Sequence, residues 1–159
     1  MYTVLGNIGS RTSRVIWMLE EIGAPYTHQP ASPQSDEVRA LSPLGKIPIL
    51  LDGAHTITDS TAILTYLGDK HAALTYPAGT PERALQDGHT NFLLDEFDAC
   101  LWAALRHKFV LPKERRLAGL KETLNWEFSR SQKHFVARLG AHPFLMGSQI
   151  TVPDIIVTH

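Results

Sequence analysis

The chain opens on a short apolar run, Tyr2 to Gly6, whose β-forming residues predict a buried strand. A turn at Asn7-Ile8-Gly9 follows. Val15, Ile16, Leu19 and Ile22 then recur at helical spacing, with Glu20 and Glu21 directed outward. Ser10 and Ser13 are available as N-caps for this helix, and Gly23 with Pro25 supplies its stop. Tyr26 to Gln29 fits a second strand, and Asp36 to Leu41 a short helix or irregular turn. Ile47-Pro48-Ile49-Leu50-Leu51, Asp52-Gly53 and His55-Thr56-Ile57-Thr58 predict a hairpin, Asp-Gly being suited to a type I′ turn. Asp59-Ser60 caps a helix whose Ala62, Ile63, Tyr66 and Leu67 face inward. The predicted order is β-α-β, then β-β-α.

Periodicity disappears from His71 to Thr80, which reads as a linker. Thr80-Pro81-Glu82 opens the next helix, with an N-cap and a proline at its first position. Its core stripe runs through Leu93, Phe97, Cys100 or Leu101, and Ala104 or Leu105, to about Phe109; Pro112 ends it. A third long helix carries Leu117, Leu120, Leu124, Phe128, Phe135 and Leu139. Strand signals are weak after Thr58, so the second half is predicted to be all-helical. The fold class is α/β plus all-α: a domain over residues 1–72, a linker over 73–80 and a helical domain over 81–159. Near the end, Thr151 and Asp154 have the spacing of an N-cap and its acidic partner, with Ile150 placed to staple onto Ile155. The helix they announce runs little more than one turn to His159. The chain therefore reads as cut short, with a core face left without its cover.

Composition narrows the function. With 159 residues, 43% hydrophobic and a net charge of -1, the chain can bury a core but lacks the broad basic face of a nucleic-acid binder. No stretch approaches the ~20 apolar residues of a membrane span. The N-terminus has no signal-peptide pattern, so a cytoplasmic protein is expected. The single cysteine, Cys100, excludes an internal disulfide and any all-cysteine metal site, and its place on an apolar stripe marks it as packing. The eight histidines form no i,i+4 pair, and Gly6, Gly9 and Gly45 make no phosphate-binding loop, so neither a metal nor a nucleotide is expected.

The most informative string is Pro43-Leu44-Gly45-Lys46-Ile47-Pro48. Proline cannot donate to a strand ladder, so Pro48 is either a plain edge-strand proline or sits in a cis bond. The cis form would leave the N–H and C=O of Ile47 free to pair with an extended peptide ligand.

Together these segments resemble the glutathione transferases. Leu41-Ser42-Pro43-Leu44-Gly45-Lys46-Ile47-Pro48-Ile49-Leu50 resembles that family's Asn-Pro-hydrophobic-Gly-Lys/Gln-Val-Pro-hydrophobic-Leu signature. Asp59-Ser60-Thr61-Ala62-Ile63-Leu64-Thr65-Tyr66-Leu67 resembles its Glu-Ser-x-Ala-Ile-x-x-Tyr-Leu signature. Ser10 to Val15, Trp17 to Glu21, Pro143 to Gly147 and Thr151 to Ile155 are similar to further family segments, most of all in bacterial members. The resemblance implies a thioredoxin-like βαβ-ββα domain followed by a helical transferase domain, here incomplete. It implies a homodimer that joins the thiolate of glutathione, a co-substrate, to a small hydrophobic electrophile. A glutathione-dependent isomerase, dehalogenase, peroxidase or disulfide reductase, or a non-catalytic binding module, would use the same scaffold.

The resemblance also assigns roles. Ser10 is the leading partner of the thiolate, with Ser13, Thr12 and Asn7 as alternatives; the tyrosine of several animal classes is absent and Asn7 stands near its place. Arg11 joins the glutathione-binding set through its backbone. Ile47 would pair with the cysteinyl part of glutathione with Pro48 cis, and Lys46 would reach the glycine carboxylate. Ser60 suits the γ-glutamyl carboxylate and Asp59 its ammonium, where the family more often has Glu or Gln. Trp102 and His107 are candidates for the electrophile pocket.

Overall fold

Alternation along two strands sends Val4 and Leu50 to one face of a sheet and Leu5 and Ile49 to the other, and all four are buried. The computed structural model describes residues 1–158. Its sheet has the order β2-β1-β3-β4, from β1 (Tyr2–Leu5), β2 (Tyr26–Gln29), β3 (Ile49–Asp52) and β4 (His55–Thr58). β1 and β2 are parallel, joined through helix α1 (Thr12–Glu21), and β3 runs antiparallel to both β1 and β4. α1 and α3 (Ser60–His71) cover the Val4 and Leu50 face with Val15, Met18, Leu19, Ile63, Leu64 and Leu67. On the opposite face, α2 (Asp36–Leu41) packs Val38 against Leu5 and Ile49; Ser35 caps it by accepting the Val38 N–H.

The hairpin differs from expectation in its turn. Asp52 pairs with His55, so the loop is Gly53-Ala54, and φ is positive at Gly53 (57°) but not at Ala54. That is the type II′ pattern rather than type I′. Asp52 belongs to the strand, which moves the loop one residue along from the Asp-Gly pair.

After α3 no helix or strand intervenes before α4 (Pro81–Phe92), which starts where Thr80 Oγ1 accepts the Arg83 N–H at 3.2 Å. The helix does not continue with one period. Leu93–Asp98 is π-helical, α5 spans Ala99–Leu105, and Arg106–Val110 is π-helical again. Each wide turn shifts the phase of the side chains that follow it. Of the paired alternatives for the stripe, Cys100 is therefore the buried one, while Leu101 and Leu105 are 47% and 45% exposed. α6 (Leu120–Leu139) begins after Leu117, which is 63% exposed and so not part of the stripe. α7 (Val152–Val157) is short but buried over Val152 to Ile156. The Asp154 carboxylate accepts the Thr151 N–H, the Thr151 hydroxyl and the Leu145 N–H, each at 2.8 Å. Packing, more than length, holds α7 in place. Among the described residues no helix is long and apolar enough to cross a membrane.

The two halves share one core, because Leu93, Leu145, Val152, Ile155 and Ile156 pack into the cluster made by α1 and α3. The connecting segment is pinned on both sides. Gln86 accepts the Tyr76 N–H at 3.1 Å and donates to Thr75 Oγ1 at 3.0 Å, and Leu74 C=O accepts the Val152 N–H at 3.0 Å. Arg83 donates to Asp69 Oδ1 at 2.6 Å and to Tyr76 C=O at 3.1 Å.

The strongest link is ionic. Arg14, only 1% exposed, donates to both carboxylate oxygens of Asp98 at 3.1 and 2.9 Å and to Ile156 C=O at 2.9 Å. Burial alone would raise the Asp98 pKa, but the Arg14 guanidinium, assisted by Arg11, outweighs it and holds the carboxyl below the usual carboxylate range. Asp98→Ala leaves a buried guanidinium without its counter-ion and is expected to lower the unfolding free energy at pH 7 by about 3 kcal/mol in denaturant titrations. Because the folded pKa is depressed, the pair's contribution is complete above the unfolded value of about 3.9 and is lost as pH falls through the folded value. The variant should lack that acid-side loss. Identical denaturant midpoints at pH 7 would show that the pair adds nothing to stability.

Candidate active site

Strand register gathers three segments at one end of the sheet. Leu5 lies opposite Ile49, and Ile49 opposite Thr58. The chain leaving β1 at Gly6, the chain entering β3 through Ile47-Pro48 and the chain leaving β4 at Asp59-Ser60 therefore emerge side by side. Gly6 allows them to close up. Its φ is +141°, and a Cβ there would lie 2.1 Å from Thr12 Oγ1 and 3.2 Å from Ile47 Cβ. Gly6 C=O accepts the Nε2–H of His28 at 2.7 Å, which fixes the bend.

The hydroxyls at the start of α1 separate into different roles. Ser10 is half-buried at the mouth of the helix; its hydroxyl donates to Asn7 C=O at 2.7 Å, and its Oγ accepts the Thr12 N–H at 3.2 Å. Thr12 is fully buried, with Oγ1 2.9 Å from Ser10 Oγ. Ser13 turns back and donates to Ser10 C=O at 3.0 Å. Asn7 is exposed and contributes its carbonyl. A serine has one O–H, so Ser10 can serve another acceptor only by rotating away from Asn7.

Ile47-Pro48 is a cis peptide bond. Ile47 is half-buried and Pro48 buried, and among the described residues neither the N–H nor the C=O of Ile47 pairs with another backbone group. Lys46 is exposed beside Gly45, whose φ is +63°. Asp59 caps α3, Oδ1 accepting the N–H groups of Thr61 and Ala62 at 2.9 and 3.1 Å, with φ at +72°. Ser60 follows in the first turn, 4% exposed. The cap and the Ile47 backbone thus face one another across the hairpin's open end.

The predicted residues of the helical half divide. Arg11 Nε donates to Asp98 Oδ2 at 3.1 Å, and its guanidinium lies 5.7 Å from the Trp102 ring centroid, so Trp102 stands beside the start of α1. His107 does not join it. Its Nδ1 accepts the Leu117 N–H at 3.1 Å at the tip of the helical hairpin, and it lines a cavity of about 510 Å³ formed entirely by residues 101–125. Burial, with Glu127 next to it, raises the pKa of Cys100, which keeps this thiol protonated and unreactive. Sequence reasoning passed over Arg14 and Asp98. The signal for Arg14 was its position four residues before Met18, on the face that buries Thr12, Val15, Met18 and Leu19.

Comparison with known proteins agrees with this geometry. Residues 8–78 match the model of the glutathione S-transferase N-terminal domain. The chain is 30% identical over 135 residues to glutathione S-transferase theta-2 of Homo sapiens, covering 77% of this chain and 52% of that protein. It spans between about half and two thirds of the length of such curated relatives. A theta class glutathione S-transferase from Xanthomonas axonopodis pv. citri, solved with glutathione bound, superposes with a TM-score of 0.80 at 26% identity, over 98% of this chain and 78% of that one. A glutathione transferase of Phanerochaete chrysosporium, in complex with oxidized glutathione, has the same fold at a TM-score of 0.85 and 23% identity, over 98% of this chain and 76% of that one. With a thioredoxin-like sheet domain, a helical half and these matches, residues 8–78 are a glutathione S-transferase N-terminal domain and the chain as a whole has the glutathione S-transferase fold.

Proposed function

We propose that this chain binds glutathione at the end of its sheet and holds the thiol as a thiolate that attacks a small hydrophobic electrophile. The observation that carries the reading is that the unpaired Ile47 backbone, the Asp59-Ser60 helix cap and the segment from Gly6 to Ser10 all adjoin one end of the sheet. Glutathione is an extended peptide with two carboxylates, an ammonium and a thiol, and this groove offers a partner for each kind of group. The Ile47 N–H and C=O add the cysteinyl residue as an extra strand. Ser60, in the first turn of α3, receives the γ-glutamyl carboxylate at the positive end of the helix. Asp59 pairs with the γ-glutamyl ammonium, and Lys46 reaches the glycine carboxylate. The Arg11 backbone lines the same mouth.

The thiol of free glutathione titrates near ~8.5, and lowering that value to about 6.5 takes roughly 2.7 kcal/mol of preference for the anion. A hydroxyl donor and the N-terminal end of α1 supply such a preference together. Ser10 takes this role as the half-buried hydroxyl at the helix mouth, releasing Asn7 C=O to donate to sulfur. The proton of the thiol passes to solvent. The thiolate then forms a carbon–sulfur bond as the carbon–halogen or equivalent bond breaks, and the leaving group departs with its electron pair. Holding both reactants in one cleft supplies the proximity. The same reading takes residues 1–72 as the glutathione domain, 73–80 as linker and 81–159 as the helical wall, in a cytoplasmic homodimer.

Two variants test the assignments. Ser10→Ala is expected to cut kcat about 10²-fold and to raise the pH at which bound glutathione ionises, while changing its Kd less than about threefold. Spectrophotometric titration of the bound thiolate measures the shift, and an unmoved titration removes Ser10 from the role. Ser60→Ala is expected instead to weaken glutathione binding about tenfold by calorimetry with the thiol pKa unchanged. Undiminished affinity would move the γ-glutamyl carboxylate elsewhere.

A further inference from the structure

Asp98, Trp102 and Arg106 stand four residues apart along the helix that follows α4. Arg11, the residue after Ser10, touches the first two: its Nε lies 3.1 Å from Asp98 Oδ2 and its guanidinium 5.7 Å from the centre of the Trp102 ring. The guanidinium of Arg106 lies over the same indole at 5.8 Å. One aromatic ring therefore holds two cations on the wall beside the start of α1.

The charges on this wall do not cancel. Asp98 is shared with Arg14, which takes both of its oxygens, and among the described residues no carboxylate pairs with Arg106. Arg106 therefore brings to this wall a positive charge that no carboxylate among the described residues meets. Arg14 is buried and cannot meet a solute, but the Arg11 side chain is 33% exposed and Arg106 is exposed. Both present planar forks whose donors match a carboxylate, and their planes suit a flat ring.

Resting on the glutathione reading above, we infer that the second-substrate site selects anionic aromatic electrophiles, with Arg11 and Arg106 receiving a carboxylate-type group on the substrate. Trp102 is a positioning residue that keeps both guanidiniums at the cleft. Ring and anion are held at this wall while the reacting carbon faces the sulfur near Ser10. A neutral electrophile of the same shape gives up the anionic contact and binds more weakly.

The test uses two unreactive probes of nearly equal shape, 3,5-dinitrobenzoate and 3,5-dinitrobenzamide, titrated calorimetrically into the full chain with and without glutathione. The wild type is expected to bind the benzoate about tenfold more tightly than the amide, a preference that shrinks as salt is added. Arg106→Gln should bring the two affinities to within about threefold of each other, and Arg106→Lys should keep part of the difference. Circular dichroism of each variant establishes that it is folded. Equal affinities in the wild type, or a preference that Arg106→Gln leaves intact, overturn the inference. Glutathione titrated alone into the same samples reports on the underlying reading separately, since the probes bind without reacting.

Discussion

A guanidinium buried to 1% exposure has to be met by a counter-ion, and in this chain that requirement organises everything around it. Arg14 is on α1, Asp98 at the end of the first π-helical segment, and the Ile156 carbonyl on α7. Three elements far apart in sequence must therefore arrive together before the charge is satisfied. Apolar packing of Leu93, Ile155 and Ile156 on α1 and α3 is non-directional and would tolerate a small slide of one half on the other. The two-pronged pair does not, because both carboxylate oxygens are taken at hydrogen-bond distance. The apolar contacts give the halves their adhesion, and the ion pair gives them their register.

That register reaches the candidate site through the loop between β1 and α1. The sheet end supplies fixed backbone, with Gly6 permitting an approach that a side chain would block at 2.1 Å. α1 supplies the hydroxyls, and its orientation is set in the same first turn by Arg14. A site made from three segments needs an independent constraint on each. β-ladder pairing from Ile49 onward fixes where Ile47-Pro48 enters the sheet, the Asp59 cap fixes the start of α3, and the ionic lock fixes α1.

How much of this was legible in the sequence follows from how local each signal is. The Asp59 and Thr80 caps, the Thr151–Asp154 cap and the β-α-β, β-β-α order rest on neighbours within a few residues, and the structure has each of them. The stripe of the long helix was half legible: its residues were named, but the two π-helical segments changed their phase, and only three-dimensional packing distinguishes Cys100 from Leu101. The turn lies one residue beyond the Asp-Gly pair because Asp52, chemically suited to a loop, is held in the ladder opposite His55. Leu117 and His107 stand at the hairpin tip, where the direction of the chain, not its periodicity, decides what each side chain meets. The partnership of Arg14 with Asp98 was beyond local reading, since the two residues lie 84 positions apart.

The start of α1 also explains why so many functions fall within five consecutive residues. Successive helical side chains are turned by about 100° from one another, so a single turn faces every direction around its axis. Ser10 lies at the mouth toward the sheet end, Arg11 reaches the helical wall, Thr12 is buried against Gly6, Ser13 closes on backbone and Arg14 locks the halves together. A strand would divide the same residues between two faces and could not address sheet, wall and core at once. Ser10 and the wall formed by Arg11, Asp98 and Trp102 are thus coupled by covalent adjacency, separated by one peptide bond between Ser10 and Arg11. Any shift of the helical half that moves Asp98 acts on Arg11 directly and reaches the Ser10 hydroxyl through a single residue of backbone.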